Sequence, residues 1–66
     1  MKLLDTVALL EDLPKAQLQR GQVGTVVEVL GADVYEVEFS DDEGRTYALL
    51  PLPEALLMIL RFELAA

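Results

Sequence analysis

From Val34 to Phe39 the chain alternates without a break: Tyr35, Val37 and Phe39 fall on one side, and Val34, Glu36 and Glu38 on the other. A period of two marks a strand with one covered face and one wetted face. Turn residues bound it on both sides. Gly31-Ala32-Asp33 precedes it as a short hairpin turn, and Ser40-Asp41-Asp42-Glu43-Gly44 follows, with Gly44 supplying a left-handed position.

Turn signals recur at similarly short intervals along the whole chain and separate five candidate strands. The first is Thr6 to Leu10, ended by Glu11-Asp12-Leu13-Pro14, where Pro14 lacks a ladder donor. Lys15 to Arg20 reads as a loop draped over the core and anchored by Leu18. Gly21-Gln22-Val23-Gly24 leads into Thr25 to Leu30, where Gly21 permits a positive φ and Gly24 a bulge or a close backbone approach. Val23 to Leu30 is apolar on both parities, so it needs cover on both faces or a bulge that switches faces. The fourth strand is Arg45 to Leu50, closed by Pro51-Leu52-Pro53. One helical turn over residues 53–57, with Pro53 at its first position and Glu54 complementing the dipole, leads to a last strand from Met58 to Phe62. A helix from Glu54 to Leu64 is the alternative that propensity favours; its run has almost no polar face, which suits a surface helix poorly. The expected fold is all-β: a small five-stranded SH3-like barrel with one short helical turn, forming a single domain over residues 1–66.

Composition narrows the chemistry. A chain of 66 residues buries only about 60% of its unfolded surface, so it depends on apolar content, cross-links, metal or association. It has no cysteine and no histidine, which removes disulfides, thiolate chemistry and a Cys/His zinc site. The apolar fraction is 53%. Val26, Leu30, Val34, Leu49, Leu50, Leu52, Leu57, Met58 and Leu60 are more apolar positions than one small barrel easily hides. They are either all core or partly an interface, with a second copy of the chain or with another protein. Twelve acids against five bases give a net charge of −7. Lys2, Lys15, Arg20, Arg45 and Arg61 are scattered, which argues against nucleic acid and anionic membranes and favours a basic protein partner. The apolar start is interrupted by Asp5 and lacks a small-residue cleavage site, and no run reaches the about 20 residues of a membrane-spanning helix. Cytoplasm is the expected location.

Glu28, Glu36 and Glu38 are placed to share one outward face of neighbouring strands. Read chemically they are a carboxylate pair or metal site; read structurally they are a solvated face that blunts sheet pairing. Asp41, Asp42 and Glu43 are adjacent, whereas a calcium loop spreads its ligands over about 12 residues, so a hairpin turn is expected. Ser40 is the only serine and has no histidine to activate it. Gly21-Gln22-Val23-Gly24 lacks the lysine and helix of a phosphate loop. There is no tryptophan for a polyproline groove, and Tyr35 and Phe39 are expected in the core. No catalytic residue, cofactor or metal is expected.

Gly21 to Leu30 resembles the KOW motif of ribosomal and transcription-factor SH3-like barrels, a short pattern that follows from barrel geometry. A second resemblance covers nearly the whole chain. Asp5 to Pro14, Arg20 to Leu30, and Tyr35 to Phe39 with Gly44-Arg45-Thr46-Tyr47-Ala48 are together similar to the bacterial domain-of-unknown-function family DUF4926. That resemblance implies a small stand-alone protein, often looking like one half of a two-gene pair, and carries no catalytic residues over. The ending from Arg61 to Ala66 is longer and less polar than the family's. Leu64-Ala65-Ala66 resembles the end of a bacterial degradation tag; small residues at a chain end also arise by chance. The expected function is that of an acidic interaction module, antitoxin- or immunity-like, contacting a basic protein through Glu28, Glu36, Glu38, Asp41, Asp42, Glu43, Leu57, Leu60 and Phe62. A KOW-like nucleic-acid-associated barrel and an accessory barrel of an enzyme complex are the alternatives.

Overall fold

The computed structural model describes residues 1–61 and is all-β. Its strands are β1 (Thr6–Leu9), β2 (Val23–Val29), β3 (Val34–Ser40), β4 (Thr46–Pro53) and β5 (Leu57–Ile59). Among the described residues, the helical pieces are single 3-10 turns at Pro14–Ala16 and Glu54–Leu56. The strands form one antiparallel sheet in the order β4-β3-β2-β1-β5. The last strand returns beside the first, and the sheet rolls around one core in the SH3-like manner. Val7, Leu9, Leu18, Val26, Tyr35, Val37, Phe39, Leu52 and Leu57 fill that core. Leu18 comes from the β1–β2 loop rather than a strand and is almost fully buried, which pins the loop as its sequence suggested.

The double-parity run of β2 is resolved by a bulge. Val26 pairs with Val37, but Glu28 pairs with Glu36, so Val27 is an extra residue in β2. Opposed residues of an antiparallel pair share a face. Ahead of the bulge, Gly24 and Val26 point inward; beyond it, Val29 takes the inner side opposite Tyr35 and Glu28 is turned outward. A second irregularity falls in β4, where Ala48 opposes Phe39 and Thr46 opposes Ser40, leaving Tyr47 unpaired. Tyr47 is half exposed, yet its ring lies 6.4 Å from that of Phe39.

Pro51 and Pro53 do not close the fourth strand, as their sequence suggested; β4 runs through both. The reason lies in the strand order. β4 is an edge strand, and the two prolines sit at the same parity, opposite Glu36 and Val34. A proline fits an edge strand when its missing donor faces away from the ladder, and equal parity lets both satisfy that condition. The turn therefore starts at Glu54, whose N–H donates to the Asp33 carbonyl at 2.7 Å. β5 starts a residue earlier than expected and ends at Ile59. Phe62 and the Leu64-Ala65-Ala66 ending lie outside the described residues.

Gly24 is required for close approach rather than for a bulge. A Cβ there would stand 2.8 Å from the Glu38 carbonyl oxygen and 2.8 Å from Val37 Cγ1. At Gly31 a Cβ meets nothing within 4 Å. Gly24→Ala is expected to cost about 1–3 kcal/mol, the range for overpacking against a fixed neighbour. Gly31→Ala is expected to stay within about 0.5 kcal/mol of the parent. Urea unfolding of both variants checks this, and equal midpoints would remove the close-approach argument.

Candidate protein-interaction face

Register places the outward side chains in rows across the sheet. Met58, Ala8 and Val23 oppose one another on β5, β1 and β2. Thr6, Thr25, Glu38 and Leu49 form the next row across β1 to β4. Glu28, Glu36 and Pro51 form the third. Leu60 extends the second row, since its N–H donates to the Thr6 carbonyl at 2.8 Å. One face thus carries three glutamates beside apolar side chains. Leu49 is 56% exposed, and Val23 and Met58 are each 48% exposed. Glu28 is exposed, while Glu36 and Glu38 are half-buried. Ser40 Oγ donates to Glu38 Oε1 at 3.4 Å.

The β3–β4 turn uses its charges internally. Asp41 Oδ1 accepts the N–H groups of Glu43 and Arg45, both at 2.9 Å. Arg45 Nε reaches Asp41 Oδ2 at 3.2 Å, and an Arg45 terminal nitrogen lies 3.0 Å from Glu43 Oε2. Gly44 takes φ of +80°, and its N–H donates to the Asp41 carbonyl. The Arg45 N–H above all holds the Asp41 carboxyl below the usual aspartate range; desolvation opposes it, and the Glu43 N–H and the Arg45 guanidinium add to the lowering. Asp42 is exposed on the same turn.

The structure therefore brings Glu28, Glu36 and Glu38 together, places Leu60 on the same face but beyond Thr25 and Thr6 at the far end of the second row, and sets Asp41, Asp42 and Glu43 apart on the hairpin tip. Leu57 is a correction: expected among the partner contacts, it is 5% exposed and belongs to the core. The turn at Glu54–Leu56 delivers it inward opposite Leu9 on β1. Leu30, Leu49 and Met58 are exposed members of the apolar surplus, whereas Val26 and Leu52 are buried. Among the described residues, no group of three or more acidic side chains is arranged to hold a metal ion.

Sequence reasoning missed a groove between the β1–β2 loop and the edge of β4. Leu13, Pro14, Lys15 and Ala16 form one wall, and Leu50 and Leu52 the other, around about 500 Å³. A shallower depression of about 330 Å³ adjoins it at Pro14 and is bordered by Asp12, Gln17, Leu18 and Gln19. The apolar spacing of Leu13, Ala16 and Leu18 was its one sequence signal, and Leu18 alone was read from it.

Strand order, core and turn together define a small SH3-like β-barrel with a mixed acidic and apolar outer face. The family model described as Domain of unknown function (DUF4926) matches residues 3–59, and the chain belongs to that family. No curated protein and no solved structure matches it. No helix among the described residues is long and apolar enough to cross a membrane.

A carboxyl with a depressed pKa stabilises its surroundings above its ordinary range, and that stabilisation is lost as pH falls through the lowered value. The Asp41 carboxyl is therefore expected to keep the Glu43 and Arg45 amides in place below the pH at which ordinary aspartates protonate, and to release them on further acidification. Asp41→Asn is expected to remove that acid transition, and Asp41→Ala to loosen the turn at every pH. A pH titration followed by amide chemical shifts checks both. An Asp41 that titrates in the ordinary aspartate range would contradict the assignment.

Proposed function

We propose that this protein is an interaction module that binds a basic protein through the outer face of β2, β3 and β4. The observation that carries this reading is the direct opposition of Glu28 and Glu36, with Glu38 on the same face. Among the described residues, the ion pairs are those of Arg45 with Asp41 and Glu43, and none reaches these three glutamates. Like charges directly opposed across a ladder are destabilising, on the scale of about 0.2–1 kcal/mol for cross-strand pairs. A cationic surface laid on this face relieves that repulsion. Leu49 and Pro51, lying beside the glutamates, supply apolar area that such a contact would dehydrate.

The net charge of −7 favours a basic partner over a second copy, because two acidic faces repel. In its most specific form, the reading makes the chain an antitoxin- or immunity-like inhibitor of a basic bacterial protein, without catalysis of its own. Leu60, at the end of the second row, and Asp42, on the hairpin tip, are the further contacts this reading favours.

The test is the triple variant Glu28→Gln, Glu36→Gln, Glu38→Gln beside the parent chain in pull-downs from the source lysate at two salt concentrations. The parent is expected to retain a basic protein at low salt and lose it at high salt. The variant is expected to unfold at an equal or higher denaturant concentration and to bind that protein at least ~10-fold more weakly. Undiminished binding by the variant at both salt concentrations would end the electrostatic reading.

A further inference from the structure

We propose that the open edge of β5 pairs with β5 of a second copy, antiparallel about a two-fold axis at Ile59, so that two barrels share one continuous sheet. The contact is separate from the acidic face, whose glutamates lie on β2 and β3, with β1 between them and β5. Backbone phase fixes what β5 offers. The Leu10 N–H donates to the Leu56 carbonyl at 2.9 Å and the Leu60 N–H to the Thr6 carbonyl at 2.8 Å, in the register that sets Met58 opposite Ala8. Residues 56, 58 and 60 therefore turn their backbone groups toward β1, and residues 57 and 59 turn theirs to the open side, beyond which no strand lies. The Leu57 N–H is taken by the Glu54 carbonyl. The Leu57 carbonyl and both backbone groups of Ile59 remain, and no backbone hydrogen bond among the described residues reaches them across the open side. Such groups on a sheet edge template another strand. The edge of β4 is closed to this, because Pro51 and Pro53 offer no donors along it.

Charge and symmetry select a second copy. From Ala55 to Leu60 there is no charged side chain, and Arg61 follows. A basic partner finds no carboxylate on this segment, whereas two chains of net charge −7 meet here without opposing their glutamates. The segment is also self-complementary. With Ile59 opposite Ile59 of the other chain, the two residues exchange N–H and carbonyl bonds, and each Leu57 carbonyl stands opposite the Arg61 N–H of the other chain. Met58 of each chain then opposes Leu60 of the other on the outer face. Met58 is 48% exposed and Leu60 half-buried, so each covers apolar surface that the single barrel leaves in water. The strand is three residues long, so the contact falls below the about 1,200 Å² of stable complexes and the dimer is a weak one.

Sedimentation equilibrium of the full chain, from about 10 µM to 1 mM and at about 50 mM and 500 mM salt, reads this association. A monomer–dimer equilibrium is expected, at least ~3-fold tighter at the higher salt because the two net charges are screened. Hydrogen exchange of the Ile59 amide is expected to slow as chain concentration rises. Ile59→Pro removes the off-edge donor while sparing the β1 ladder, the device β4 already uses, and is expected to be monomeric throughout. Ile59 also packs against the core, so two further variants test the register on the outer face. Met58→Lys, Leu60→Lys opposes like charges twice across the axis and is expected to abolish the dimer. Met58→Lys, Leu60→Glu opposes unlike charges and is expected to dimerise at least ~5-fold more tightly than the double lysine variant. Amide spectra confirm that both retain the fold. A parent chain that stays monomeric at the highest concentration in high salt would overturn the proposal. Equal dimerisation of the parent and the double lysine variant would overturn the β5 edge. A dimer that weakens with salt and is lost in Glu28→Gln, Glu36→Gln, Glu38→Gln would overturn it in favour of contact through the acidic face.

Discussion

The extra residue at Val27 decides which side of the sheet the second half of β2 presents, and the rest of the barrel depends on that switch. Without it, the strict period of a strand would carry Glu28 to the inner side and Val29 to the outer. Glu28 would then stand opposite Tyr35, in the half-open place that Val29, 47% exposed, now holds at the margin of the core. With the bulge in place, the same apolar run fills the core up to Val26 and then delivers Glu28 to the outer face opposite Glu36. The bulge is thus the device that sets Glu28 opposite Glu36 and assembles the acidic face.

The core it permits is small, and two features outside the strand interiors complete it. Leu18 enters from the β1–β2 loop, held by reciprocal hydrogen bonds between Leu13 and Leu18 and by the Leu9 N–H on the Gln22 carbonyl. Leu57 enters after the last 3-10 turn. Both are brought in by irregular backbone, so the loops of this barrel are part of its packing. The edge of β4 is blunted by Pro51 and Pro53, which deny a neighbouring chain two donors where the strand would otherwise template aggregation. Leu49, at the same parity and without such protection, is 56% exposed on that strand's outer face.

Much of this was legible in the sequence. The alternation of Val34 to Phe39 located β3 and assigned its faces, and the double parity of Val23 to Leu30 called for cover on both faces or a bulge, of which the bulge is what forms. The Gly44 turn and the single turn ahead of the last strand were also legible from local chemistry. What sequence misread was decided by position in the sheet. Pro51 and Pro53 read as a strand end because their effect depends on whether the strand is central or at an edge, and strand order is not a local property. Leu57 read as surface because its direction is set by where the Glu54–Leu56 turn stops, and residues 56 to 58 are apolar on both parities. The groove was illegible for a related reason: its walls are more than 30 residues apart in sequence, at 13–16 and 50–52.

The opposition of Glu28 and Glu36 is a place where local choices do not favour the free protein. Consistency between pattern, turns and packing runs through the rest of the chain, and departures from such consistency tend to fall at functional sites. Several other acids have partners within the chain. Asp41 and Glu43 share Arg45, Asp5 accepts the Lys2 N–H, and Asp12 accepts the Arg20 N–H. The sequence has bases to place beside Glu28 and Glu36 and places them elsewhere. A threonine or glutamine at either position would serve a solvated strand without repulsion. The uncompensated pair therefore argues for a cation supplied from outside, and the exposed Leu49 opposite Glu38 argues that the cation belongs to a surface rather than to a free ion.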